Sequence, residues 1–278
     1  MALSLTGISY AYGEGTPFVQ PALHAVDMTL NPGMLTLVLG ATGSGKSTLL
    51  RVAAGLLTPQ AGSVELDGER VERVVAGARG VGIVFQSPET QLFAETVLAD
   101  VSFGPRNQGL AEEDAQREAR DAMVLADLEP DVFAARSPFA LSGGEARRAA
   151  LAGILALDPA YLLLDEPTAG LDFHGREVVM NVLIKARESA GVAVVSHDIE
   201  SFLPVADHVL ILVDGDVQYS GEARGLIADP EPLVRAGLGV PGVLSLQMAG
   251  RRAGLHIDEF TLDALRAAHA VAEAGGWA

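Results

Sequence analysis

Gly40-Ala41-Thr42-Gly43-Ser44-Gly45-Lys46-Ser47-Thr48 decides how the rest of the chain is read. An apolar run, Leu35-Thr36-Leu37-Val38-Leu39, leads into it, and Leu49-Leu50-Arg51-Val52-Ala53-Ala54 leaves it at helical spacing. Gly40, four intervening residues, then Gly45-Lys46-Ser47 is the spacing of a phosphate-binding loop between a buried strand and a helix. Glycines let backbone N–H groups close on phosphate oxygens where a Cβ would clash. A helix starting near Lys46 aims its positive end at the same anion. Lys46 brings a point charge to the β- and γ-phosphates, and the Ser47 hydroxyl is suited to Mg²⁺. The stretch predicts a nucleoside triphosphate site.

Composition narrows the classes. The 278 residues suit one large domain or two modest ones, and 49% hydrophobic residues supply a core. A net charge of −17 argues against a nucleic-acid binder, which needs a basic footprint, and against docking by charge on an anionic membrane. With no cysteine, disulfides and thiolate metal sites are excluded. The start, Met1 to Gly7, lacks the basic region and apolar core of a signal peptide. The longest apolar run, around Leu151 to Leu164, is broken by Asp158-Pro159 and falls short of the ~18–20 residues of a membrane helix. A soluble, cytoplasmic chain is expected.

Ahead of the loop, residues 1–39 alternate as strands do, with a glycine- and proline-containing loop from Gly13 to Pro21. Tyr12 precedes that loop, either to stack on an adenine or as a half-buried strand tyrosine. Behind it, Ser63 to Gly68 reads as a short strand and turn, and Gly82-Ile83-Val84-Phe85 as a buried strand ending in Gln86. A glutamine there faces the crevice where α/β sheets bind ligands. It can touch Mg²⁺ and the attacking water, or simply open a polar loop. Residues ~88–140 change to helical patterning: Val97, Val101 and Phe103 begin a helix before Gly104-Pro105, and Glu112 to Asp127 forms another. The pattern predicts a helical insert in an α/β domain.

Leu141-Ser142-Gly143-Gly144-Glu145 opens the next helix, with Ser142 and Glu145 spaced for a capping box. A cap explains the serine and glutamate but not two glycines, which cost helix stability and leave N–H groups suited to a phosphate. Ala160 to Leu164 reads as a buried strand tipped by Asp165-Glu166. Asp165 is suited to the Mg²⁺ shell and Glu166 to polarising a water. Ala169-Gly170-Leu171-Asp172, a helix from His174 to Ser189, and the strand Val192 to Val195 follow. That strand ends in His197, which is either structural or a γ-phosphate contact. A hairpin turns through Asp214-Gly215. Beyond Glu222 a helix is expected from Asp258 to Glu273, with Leu262, Leu265, Ala268 and Val271 on one side.

Together these motifs resemble an ABC-transporter ATPase over about residues 1–220. Gly40 to Thr48 resembles Walker A, Gln86 the Q-loop, Leu141 to Glu145 the ABC signature, Leu162 to Glu166 Walker B, Ala169 to Asp172 the D-loop, and His197 the switch histidine. The resemblance implies an α/β P-loop NTPase fold with a RecA-like core, an antiparallel β subdomain, a helical subdomain (about 88–157) and a small C-terminal extension. Phe85-Gln86-Ser87-Pro88-Glu89-Thr90-Gln91-Leu92-Phe93 and Phe103-Gly104-Pro105-Arg106-Asn107 further resemble the energy-coupling-factor ATPases, including the cobalt-type subunits of vitamin and metal uptake.

That narrower resemblance implies ATP and Mg²⁺ as ligands and a pair of ATPase subunits. Lys46 and the loop amides would hold phosphates, and Ser47, Asp165 and Gln86 would hold Mg²⁺. Glu166 and His197 would act on the attacking water and γ-phosphate. Ser142, Gly143, Gly144, Glu145 and Asp172 would complete the site in trans. It also implies a transmembrane coupling protein, contacted near Gln86 to Phe93, and a small substrate-binding membrane protein. The chain would sit at the cytoplasmic face of the membrane, with residues 222–278 as a dimer contact. The sequence departs from the usual pattern at three places without removing a phosphate or metal ligand: Glu145 for glutamine, Ala146-Arg147-Arg148 after it, and Met34 after Gly33. The rival readings are the ATPase of a conventional importer or exporter, and a soluble ABC ATPase of DNA repair or translation. The latter fits poorly with one P-loop and a charge of −17.

Overall fold

A computed structural model describes residues 2–71 and 80–276. Its strands are β1 (Leu3–Tyr12), β2 (Gln20–Leu30), β3 (Leu35–Leu39), β4 (Ala61–Leu66), β5 (Glu69–Arg70), β6 (Val81–Val84), β7 (Tyr161–Asp165), β8 (Gly191–Val195), β9 (His208–Val213) and β10 (Asp216–Glu222). Among the described residues they form two sheets, β2-β1-β4-β5 and β10-β9-β3-β8-β7-β6. The first is antiparallel. In the second, β9, β3, β8, β7 and β6 run parallel, and β10 joins the edge antiparallel.

The central strands β3, β7 and β8 are buried along their whole length, which is why they are apolar without alternation, whereas the edge strand β10 is polar and largely exposed. Side chains still divide by the pleat. Leu35, Leu37 and Leu39 enter one core with Leu162, Leu164, Val192 and Val194. Val38 enters the other with Leu163, Ala193, Val195 and Leu210, where the antiparallel sheet and the helix Lys46–Ala53 supply Leu5, Val26, Leu49 and Val52. Burying each such side chain is worth ~1.5–3 kcal/mol. The turn Asp214-Gly215 has φ of +50° and +87°, the type I′ geometry that matches strand twist. Its Gly215 N–H donates to Ser44 O at 3.2 Å, so the hairpin braces the phosphate loop.

The helical insert packs its own core of Val97, Val101, Ala119, Met123 and Ala149. Gly104-Pro105 does not end a helix as its residue types predict. It lies inside the short helix Phe103–Asn107. Pro105 falls in the first turn, where an N–H has no intrahelical acceptor to lose.

The C-terminal extension also departs from expectation. Its last helix runs Ala264–Ala274, because the Asp263 side chain accepts from Leu265 and Arg266 N–H and starts the helix there. The face predicted to be apolar turns outward at Leu265, which is 80% exposed, while Ala267 is buried. Earlier helices Ala223–Ala228, Glu231–Arg235 and Gly242–Arg252 were not legible. Ala223, Leu226, Leu233 and Leu244 from this region join the core beneath β3 and β8.

Candidate functional site

Parallel pairing brings the C-terminal tips of β3, β6, β7 and β8 to one edge, the place where such sheets bind ligands. Asp165 pairs with Val195 across β7 and β8, so the residues that follow each lie side by side. The tips line a cleft of about 520 Å³ that contains Thr42, Gly43, Lys46, Ser47, Gln86, Asp165, Glu166 and His197.

The phosphate loop is shaped by close backbone approach. A Cβ on Gly45 (φ +99°) would stand 2.3 Å from Ala22 O, and one on Gly40 2.3 Å from Ser44 Oγ. Lys46 is buried and its Nζ donates to Gly40 O and Ala41 O, both at 2.8 Å. Burial lowers the lysine's pKa, and the charges of Glu166 and Asp165 pull it back up. Tyr12 ends β1 beside the loop, its hydroxyl 3.1 Å from Thr48 Oγ1, and its ring meets Tyr10 edge-on.

Glu166 sits just past β7 at φ +52°, a left-handed conformation that costs a non-glycine residue free energy. Its N–H donates to Val195 O at 2.9 Å, which fixes it against β8. Oε2 accepts from His197 N at 3.4 Å and from Ser196 Oγ at 3.5 Å. Oε1 is buried with no hydrogen-bond partner among the described residues. His197 Nε2 is 3.4 Å from it, an ion pair when the imidazole is protonated. Burial raises the Glu166 pKa and Asp165 adds to this, against His197 and Lys46. The set fits a magnesium nucleotide: a buried ammonium on glycine-rich backbone, a buried Asp165, and, on the cleft-lining Glu166, a carboxylate oxygen with no hydrogen-bond partner among the described residues.

Ser142 to Glu145 and Asp172 are not among the cleft's lining residues. Ser142 caps the helix Gly143–Leu155, accepting from Glu145 N–H at 3.3 Å, while Glu145 Oε2 accepts from Ser142 N–H at 2.7 Å. Those bonds hold the Glu145 carboxyl below its ordinary pKa. Asp172 caps the helix Phe173–Ala186, accepting from Gly175 N–H at 2.8 Å. Sequence reasoning missed Thr168, Arg176, Ser196 and Asp198 in the cleft wall. Ser196 and Asp198 flank a histidine that was singled out; Arg176 carries no local signal.

The ABC transporter family matches residues 23–169. The chain belongs to the ABC-transporter ATPase family. It is 39% identical to the energy-coupling factor transporter ATP-binding protein EcfA2 of Clostridium acetobutylicum, over 96% of this chain and 96% of the relative. The protein of that name from Streptococcus sanguinis is 40% identical, over 94% and 96%. Among solved structures, cbiO1 of Clostridium perfringens, part of the ABC transporter complex cbiONQ, is similar with a TM-score of 0.72 and 30% identity, over 88% of this chain and 98% of that one. The dimeric ATP-binding cassette MJ0796, in a post-hydrolysis state bound to ADP and Pi, gives a TM-score of 0.72 and 29% identity, over 81% and 100%. As an ABC-transporter ATPase this chain binds nucleotide and hydrolyses ATP, and the fold expected of it is the fold it has.

Proposed function

We propose that this chain is the ATP-hydrolysing subunit that energises uptake of a micronutrient, a vitamin or a transition-metal ion, through an energy-coupling-factor transporter. One observation carries the reading: the chain aligns over 96% of its length with a protein named as an energy-coupling factor transporter ATP-binding protein. Its own Lys46, Gln86, Asp165, Glu166 and His197 meet in one cleft.

In this reading ATP with Mg²⁺ supplies the bond to be broken and a cation that screens its charge. Lys46 and the N–H groups of Gly40 to Thr48 hold the phosphates, with Tyr12 at the base end. Ser47, Gln86 and Asp165 hold the metal. Glu166, ionised, orients and polarises a water, and His197 reaches the γ-phosphate from the tip of β8. Ser142, Gly143, Gly144, Glu145 and Asp172 serve the site of a second ATPase subunit. Their position outside the chain's own cleft supports this, as do the neighbouring Phe139 and Phe173, 74% and 76% exposed.

A transmembrane coupling protein docks at the segment Gln86 to Phe93, where Phe93 stacks edge-on against Phe103 and both rings are exposed. A small membrane protein captures the substrate. No helix of the described residues is long and apolar enough to cross a membrane, so peripheral attachment at the cytoplasmic face follows from these partners. The test is recovery of tagged Glu166→Gln protein from solubilised membranes with ATP and Mg²⁺. A coupling protein with a small substrate-binding membrane protein is the expected catch. A permease with a solute-binding protein, or no membrane protein at all, would overturn the assignment.

A further inference from the structure

Arg147 lies in the first turns of the helix Gly143–Leu155, yet its guanidinium reaches three groups on two segments distant in sequence. Nη1 donates to Ala169 O. Nη2 donates to Gln86 O at 3.0 Å, and Nε lies 3.5 Å from Glu89 Oε2. The side chain is only 12% exposed. A charged side chain is seldom buried that far unless it is paired or built into contacts, and here two of its three targets are turns that wall the cleft. Arg176 bonds to the same D-loop, donating from Nε to Leu171 O at 3.1 Å. Arg176 does not bond to the segment at Gln86; Arg147 joins the two.

We propose that Arg147 is a positioning residue that locks the Gln86–Glu89 turn to the Ala169–Leu171 turn, so that the two move as one body. A planar guanidinium directs donors along fixed, divergent lines, which suits two carbonyls and a carboxylate spread over two segments. A lysine at this position has one point of attachment and cannot span them. Arg147 is not among the residues lining the cleft, so it acts through the loops it ties. Glu89 lies within the segment assigned above to the membrane partner, and Asp172 ends the D-loop. The lock therefore connects the docking segment to a residue offered to the second subunit. The kinetic part of this inference rests on the ATPase reading; the mechanical part does not.

The experiment is hydrogen exchange and steady-state ATPase on the full-length chain. Arg147→Ala and Arg147→Lys should both speed exchange in peptides spanning residues 86–93 and 166–172, which hold the bonds Thr90 N–H to Ser87 O and Leu171 N–H to Thr168 O. The helix Gly143–Leu155 and β7 should stay protected. In turnover, Arg147→Ala should lower kcat about tenfold with KM little changed, and in a Gln86→Ala background the further loss should shrink to about twofold or less. Faster exchange in one segment alone, general loss of protection, wild-type behaviour of Arg147→Lys, or fully multiplicative kinetic losses would each overturn the lock. A wild-type chain without ATPase activity would instead overturn the functional reading, and the exchange data would still decide Arg147.

Discussion

At the scale of single residues, Glu166 concentrates the chemistry and the strain. Its left-handed backbone and buried carboxylate are both costs that the surrounding structure must hold in place. In the role proposed for it, polarising a water, it would work only when ionised, and burial raises its pKa. The acid limb of the kcat/KM profile, which reports the free chain, should therefore lie above the ordinary carboxylate range, and disappear with the activity in Glu166→Gln. That substitution should lower kcat by ~10²–10⁴ while nucleotide binding, measured by fluorescent-nucleotide titration, stays within a few-fold. The same pKa sets a stability effect. The folded chain binds this proton more tightly than the unfolded chain does. The stabilising contribution is thus complete below the unfolded pKa and is lost as pH rises through the folded one. Glu166→Gln removes that loss and should melt higher than wild type at neutral pH, with the gap closing on acidification.

The residues legible from sequence alone are those whose role is written in adjacent positions. Lys46 stands among glycines between a strand and a helix, and Asp165-Glu166 closes an apolar run. Arg147 and Gln86 are 61 residues apart, and no local pattern announces their contact.

At the scale of elements, the helix Gly143–Leu155 shows how much a local rule can explain. The capping box appears as its spacing predicts, both reciprocal bonds made. Among the described residues, nothing requires the glycines behind it. A Cβ on Gly143 would meet nothing within 4 Å, and one on Gly144 only Leu171 Cδ2 at 3.7 Å. Neither has the positive φ that favours glycine. Gly143→Ala and Gly144→Ala should therefore leave thermal stability unchanged or raise it by about 0.5–1 kcal/mol, the helical advantage of alanine. Their ATPase should nonetheless fall, by about tenfold or more if each Cβ displaces an oriented N–H donor of the partner's site. Stability lost together with activity would point to an unseen role within the chain instead.

The central parallel strands are legible because full burial leaves apolar runs between polar breaks, and the antiparallel strands β1 and β2 because they alternate. Short helices were read poorly: Glu231–Arg235 and Phe103–Asn107 are about one turn each, too short to display a period. The face of Ala264–Ala274 was misjudged because alanine dominates it, so small shifts in phase change which residue turns inward.

At the scale of the whole molecule, the layout separates what one site needs. The phosphate loop and the strand-tip carboxylates share a cleft, whereas the signature stands outside it with Ser142 and Gly143 exposed. On the function proposed above, a two-fold pair of this chain would resolve this, since an isologous interface would let each chain lend its signature to the other's phosphate loop. The arrangement makes a complementation prediction. Lys46→Met disables a chain's own phosphate loop and leaves its signature intact. Gly144→Trp does the reverse, because bulk at the helix start obstructs a nucleotide held by the partner. Each variant alone should be nearly inactive. On mixing in equal amounts, half of the pairs are mixed, and each of those has one site built from two intact halves. Activity should return to about a quarter of wild type if the sites fire independently. Were both halves of a site supplied by one chain, mixing would restore nothing, because every chain would carry a defect in its own site. A titration of the mixing ratio sharpens the result: restored activity should peak at equal amounts and fall symmetrically to either side. Failure of rescue alongside a wild-type chain that pairs with itself in ATP, as seen by its mass in solution, would place the complete site within one chain.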